Sequence, residues 1–90
     1  MEVVDYLDPT PKYLQIANIV RRQIKAGDLE PGRLIPSETQ MSQIHGVARK
    51  TVRMGIHVLA EEGWVIRIQS RGTYVAPRER WPEDPEGAVP

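Results

Sequence analysis

The sequence predicts a mainly α-helical domain that ends in a small β-hairpin: three helices, then two strands. Two observations carry this. Apolar residues recur at the spacing of a helix face in three successive stretches, and each stretch stops at a glycine: Gly27, Gly46 and Gly63. After Trp64 the period drops to two, through "WVIRIQSRGTYV".

Thr10-Pro11 opens the first helix, over 11–26, as a capping hydroxyl followed by proline at the first helical position. Tyr13, Ile16, Ala17, Val20 and Ile24 form its apolar stripe, and Lys12, Arg21, Arg22 and Lys25 fall mostly on other faces. Pro31-Gly32 makes a turn and Arg33–Ile35 a short extended piece, with Ile35 kept out of helix by Pro36. "SETQ" is a capping box, Ser37 with Gln40, that starts a short helix over 38–45 on the apolar residues Met41 and Ile44. After a His45-Gly46-Val47 turn the third helix runs from about Arg49, burying Val52, Ile56, Leu59 and Ala60. The hairpin occupies 64–69 and 73–76, turning at "SRG". One domain therefore spans 10–76. Residues 1–9 either dock on it or pair with another chain. Residues 77–90, rich in proline and acid, read as a disordered tail.

Ninety residues make one small core and leave no room for a deep cleft between subdomains. The absence of cysteine excludes disulfides, thiolate metal sites and a cysteine nucleophile. No apolar run approaches the length of a membrane helix, and the acidic N-terminus lacks a leader pattern, so a soluble protein of the cytoplasm is expected. His45 and His57 lack ligand-spaced partners and read as turn and surface histidines. Glu61 and Glu62 read as a solvated helix end, Trp64 as core and Trp81 as exposed. No enzyme constellation, cofactor or metal is expected.

Charge is the informative quantity. The chain holds 12 basic and 12 acidic residues. Yet residues 45–80 carry seven bases and three acids, and 81–90 carry three acids and no base. Arg49, Lys50 and Arg53 crowd the start of the third helix, away from its apolar stripe, with Arg49 and Arg53 an i,i+4 pair on one exposed face. Two helices joined by a four-residue turn, the second opening with exposed bases, make a helix-turn-helix, and the hairpin adds a wing. Such a helix enters the DNA major groove, where an arginine fork can bond guanine O6 and N7 together. Lys50 and Thr51 can hold phosphates, and Arg71 sits at the wing tip, where Gly72 permits close approach to a sugar-phosphate edge.

"PKYLQIANIVRRQIKAGDLEPGRLIPSE", "HGVARKTVR", "LAEEGWV" and "RGTYV", in this order and spacing, resemble the N-terminal winged helix-turn-helix domain of GntR-family bacterial transcriptional regulators. The opening "PKYLQI" is similar to the HutC- and YtrA-type members. The resemblance runs from about Pro11 to Ala76. It implies a double-stranded DNA partner, with Arg49, Arg53 and Lys50 at base edges. It places Tyr13, Ser37, Thr39, Thr51, Ser70, Arg71, Gly72 and Thr73 on the backbone. It further implies a repressor acting as a homodimer on an inverted repeat, at the bacterial nucleoid. A winged-helix protein-interaction module is the alternative.

Four positions depart from the family pattern. Thr39 stands where an arginine is usual, which weakens one contact. Ala48 replaces a capping Ser or Thr, at a cost of about 1 kcal/mol. Gly55 replaces an alanine, at a similar penalty of roughly 1 kcal/mol. Ser70 replaces the first glycine of a Gly-Arg-Gly wing. Family members also carry a C-terminal effector domain. Only 14 residues follow Ala76, so no small-molecule effector is expected within this chain.

Overall fold

A computed structural model describes residues 2–82. Three helices, α1 (Lys12–Ala26), α2 (Glu38–His45) and α3 (Arg49–Glu62), precede two strands, β1 (Val65–Ile68) and β2 (Gly72–Val75). The strands pair antiparallel, Val65 opposite Val75 and Ile68 opposite Gly72. The architecture is the expected one of three helices and a hairpin.

Local chemistry sets most boundaries. Ser37 and Gln40 form the capping box in full: the Gln40 N–H donates to Ser37 Oγ at 3.1 Å, and the Ser37 N–H to Gln40 Oε1 at 2.8 Å. Ala48 stands at the N-cap of α3 and offers no side-chain acceptor. Thr10 is not the cap of α1. Pro11 takes that position, its carbonyl accepting from the Leu14 and Gln15 amides at 3.0 Å each. The Thr10 carbonyl instead accepts from Gln15 Nε2 at 2.8 Å. Residues 33–35 join the hairpin: the Ile35 N–H donates to the Thr73 carbonyl and the Val75 N–H to that of Arg33, both at 2.9 Å. This third edge ties the start of α2 to the wing.

The core is one apolar cluster that includes Ile16, Ala17, Val20 and Ile24 of α1, Met41 of α2, Val52, Ile56 and Leu59 of α3, and Val65 and Val75 of the hairpin. Gly55 is buried where α1 crosses α3. A β-carbon there would stand 2.7 Å from the Tyr13 carbonyl oxygen and 3.1 Å from Ile16 Cγ2. The glycine that looked like a helix defect is therefore a packing requirement.

Both flanking segments are more structured than their composition suggests. Val4 is buried, and its N–H donates to His45 Nδ1 at 3.2 Å. The Asp5 N–H donates to Gln15 Oε1 at 2.8 Å, and the Tyr6 hydroxyl donates to the Gly46 carbonyl. His45 is thus a buried histidine, not a surface one, and Ile44 points outward at 42% exposure in its place. The reason is positional: His45, four residues after Met41, shares its inward face. Burial pushes the His45 imidazole below its ordinary pKa. At the other end, residues 77–82 are not a disordered tail. Arg78–Arg80 form a 3-10 turn, and Trp81 packs on Trp64 with ring centroids 5.4 Å apart. Trp81 Nε1 donates to the Ala76 carbonyl at 2.8 Å. Gly63 lets this segment sit down, since a β-carbon there would come 2.5 Å from the Arg80 carbonyl oxygen. Glu62 is engaged as well, accepting from Arg21 at 2.8 Å and from Trp64 Nε1 at 3.0 Å. The remainder of the expected tail, 83–90, lies outside the described residues.

At the wing tip Ser70 has φ 68°, the one described non-glycine residue with positive φ. The hairpin twist demands this conformation, which a β-carbon disfavours.

Three outcomes are expected from this packing. Gly55→Ala should lower stability by about 1–2 kcal/mol in urea denaturation, because overpacking outweighs the helix preference of alanine; a raised midpoint would mean that α1 yields to the methyl group. Ser70→Gly should raise stability by about 1 kcal/mol by relieving the left-handed serine; an unchanged melting temperature would show that the tip adapts freely. The third concerns pH. The folded-state pKa of His45 lies below the ordinary value of 6.5, so as pH falls the unfolded chain binds this proton first. Its contribution is complete above about pH 6.5 and is lost as pH falls from there through the folded-state pKa. His45→Asn, which keeps an acceptor for the Val4 N–H, should flatten the stability profile as pH falls below about 6.5. An equally steep profile in that variant would place the titrating group elsewhere.

Candidate nucleic-acid interface

The inward stripe of α3 fixes what its outer face presents. Val52, Ile56 and Leu59 are buried, so Arg49, Lys50 and Arg53 emerge exposed. Thr51 is only half-exposed. Its amide donates to the Ala48 carbonyl at 3.0 Å. The first turn of α3 contains no acid, so nothing there offsets the positive helix N-terminus.

Arg53 is held by a partner that sequence reasoning did not foresee. Glu38, the first residue of α2, accepts Arg53 Nη2 at 2.9 Å on one carboxylate oxygen and Nε at 3.1 Å on the other. This bidentate bond holds the Glu38 carboxyl below the usual carboxylate range, with smaller contributions from Arg49 and Arg67. The Arg53 fork is thus already oriented, and its acceptor sits on the neighbouring helix of the helix-turn-helix.

Arg67 is the second unforeseen residue. It lies on β1 on the same side as buried Val65, so it leans toward α3, and its Nη2 stands 2.9 Å from His57 Nδ1. Arginine can only donate, so His57 Nδ1 is the acceptor. The other ring nitrogen, Nε2, lies 3.3 Å from Glu61 Oε1. The alternation of "VIRI" carried the signal, since period two puts Arg67 on the face of Val65.

Two hollows collect most of the expected residues. A cleft of about 760 Å³ between α2 and the wing is lined by Ser37, Thr39, Arg71, Gly72 and Thr73, with Glu38 and Arg67. A second hollow of about 530 Å³, on the outer side of α3, is lined by Tyr13, Lys50 and Arg53, with Met54, His57, Val58 and Arg67. Arg67 borders both. Arg49, Thr51 and Ser70 line neither, although Arg49 is exposed at the head of α3 and Ser70 at the wing tip. Ser37 Oγ already accepts the Gln40 amide, which leaves its hydroxyl proton to donate. Thr73 is half-buried within the sheet. The arrangement is a cationic surface with one central carboxylate, suited to binding a polyanion. Among the described residues no group of three or more His, Asp or Glu side chains could hold a metal ion.

Comparison with known proteins gives the same reading. The family model described as "Bacterial regulatory proteins, gntR family" matches residues 12–75. The HTH-type transcriptional regulator GgaR of Escherichia coli K12 is 41% identical over 68 residues, covering 76% of this chain and 27% of that protein. The HTH-type transcriptional repressor NagR of Bacillus subtilis is 40% identical over 68 residues, 76% of this chain and 28% of that protein. The chain thus spans little more than a quarter of the length of these relatives. Among solved structures, the AraR DNA-binding domain in complex with operator ORX1 superposes with a TM-score of 0.78 at 33% identity, covering 84% of this chain and 96% of that one. With its three helices, its wing and its cationic third helix, the chain belongs to the gntR family of bacterial regulatory proteins, as a winged helix-turn-helix DNA-binding domain.

Proposed function

We propose that this domain reads a specific operator in double-stranded DNA and acts as a transcriptional repressor by occupying a promoter. The observation that carries this reading is the Arg53 fork, exposed on α3 and pre-oriented by Glu38. On binding, α3 enters the major groove. Arg53 exchanges its carboxylate partner for guanine O6 and N7, two acceptors of matching geometry. Arg49, one turn earlier, and Lys50 reach neighbouring base edges. Tyr13, Ser37, Thr39 and Thr51 hold phosphates on either side of the groove. The wing tip, Ser70 to Gly72 with Thr73 behind it, lies along the backbone or in the minor groove, and Arg71 supplies its charge.

One such domain reads too few base pairs for genomic specificity, so the protein binds as a homodimer on inverted half-sites. The repressor role is supported by the name of NagR, and the operator by the AraR complex. A protein-interaction role would be better served by an apolar or acidic third helix, and α3 here opens with three cations.

Selection from a random duplex pool tests the proposal. An enriched inverted repeat is expected, and enrichment of no sequence would overturn it. Arg53→Ala should then weaken operator binding by about tenfold to a hundredfold and relax preference at one base pair; retained preference would remove Arg53 from the base-reading set. Arg71→Ala should weaken binding to all sequences alike and reduce the slope of log affinity against log salt by about one. A loss confined to the operator would mean instead that the wing reads bases.

A further inference from the structure

Met54 is the one large apolar side chain left exposed on α3, at 43%. The other large apolar residues of the helix do what apolar residues do: Val52, Ile56 and Leu59 are buried, and Val58 is half-buried against the core. Met54 follows Arg53 directly, and with Lys50 and His57 it occupies the i, i+4 and i+7 positions of a single face. That is the outward face, opposite the buried stripe. Met54 also lines the hollow on the outer side of α3, where its thioether and Val58 are apolar and Lys50, Arg53 and Arg67 are cationic. Met54 thus presents an exposed apolar group among cations on the outward face of α3.

The major groove of B-DNA offers one apolar group at its base edges, the C5-methyl of thymine. Methionine suits that contact. It is unbranched, polarisable and able to adjust its reach by rotamer changes. The cations around it bring phosphates and base acceptors close, which excludes water from the methyl–thioether contact once the helix is seated.

We infer that Met54 is a specificity-determining residue that packs against the C5-methyl of a thymine in the same half-site that Arg53 reads. This rests on the proposed insertion of α3 into the major groove. It adds a second kind of readout, apolar and enthalpically soft, beside the hydrogen-bonded readout by arginine. Burial of one methyl-sized group corresponds to about a fourfold change in affinity.

The test uses the full chain and the operator recovered by selection. Each thymine is replaced in turn by uracil, which pairs identically and lacks only the methyl group. For the wild-type protein, one position per half-site should lose about fourfold in affinity. Met54→Ala and Met54→Gln should bind the parent operator more weakly and show no further loss on uracil substitution at that position. The side chain is exposed, and a melting curve for each variant confirms that it folds. Wild-type binding indifferent to uracil at every position would overturn the inference, as would variants that remain as sensitive as wild type. Both failures leave operator binding itself intact, so they are distinct from failure of the proposed function. Failure to recover any operator would overturn both together.

Discussion

The contact on which the rest of the structure depends is the crossing of α1 over α3 at Gly55. Helix axes approach this closely only where one partner contributes no side chain, and here the opposing group is a backbone carbonyl, that of Tyr13. A carbonyl cannot rotate away as a side chain can. The crossing therefore sets both the depth and the rotation of α3. Rotation decides what the helix presents: with Val52, Ile56 and Leu59 turned inward, Lys50, Arg53 and Met54 face outward. The wing, tied to the start of α2 through residues 33–35, is then held at a fixed distance from that face.

Electrostatics works inside this frame. The chain is neutral overall, with 12 basic and 12 acidic residues, so long-range attraction to DNA is modest and local arrangement matters more. Glu38 among Arg49, Arg53 and Arg67 orders one guanidinium without cancelling the patch. In the proposed operator complex Glu38 is also a competitor: a sequence that cannot match the bidentate geometry of its carboxylate gives Arg53 no reason to leave. Under that proposal, discrimination against wrong sequences is supplied in part by the protein's own acid.

What could be read from the sequence divides by range. Helix ends encoded in neighbouring residues were legible, as with the Ser37–Gln40 box and the glycine after each helix. The cap of α1 was not: the local pattern points to Thr10, but the Thr10 carbonyl is taken by Gln15 Nε2 and Pro11 stands at the cap. Interactions between distant residues were hidden: Val4 with His45 across 41 positions, Arg53 with Glu38 across 15, and Trp81 with Trp64. Gly55 was misread for the same reason, since helix propensity is local and the approach of α1 is not. In the interface, helical period placed Arg49, Lys50 and Arg53 outward. It gave no hint that Glu38 would reach across from another helix, and strand alternation had to be followed one residue further to bring Arg67 in.

The stacking of Trp81 on Trp64 has a spectroscopic side. These are the two tryptophans of the chain, and they form one contact at the base of the wing, where Trp64 also bonds the end of α3. Tryptophan emission from this protein therefore comes from a single locus, shielded while the 3-10 turn is seated and exposed to water when it lifts. The domain carries its own optical gauge of how firmly residues 77–82 are seated on it.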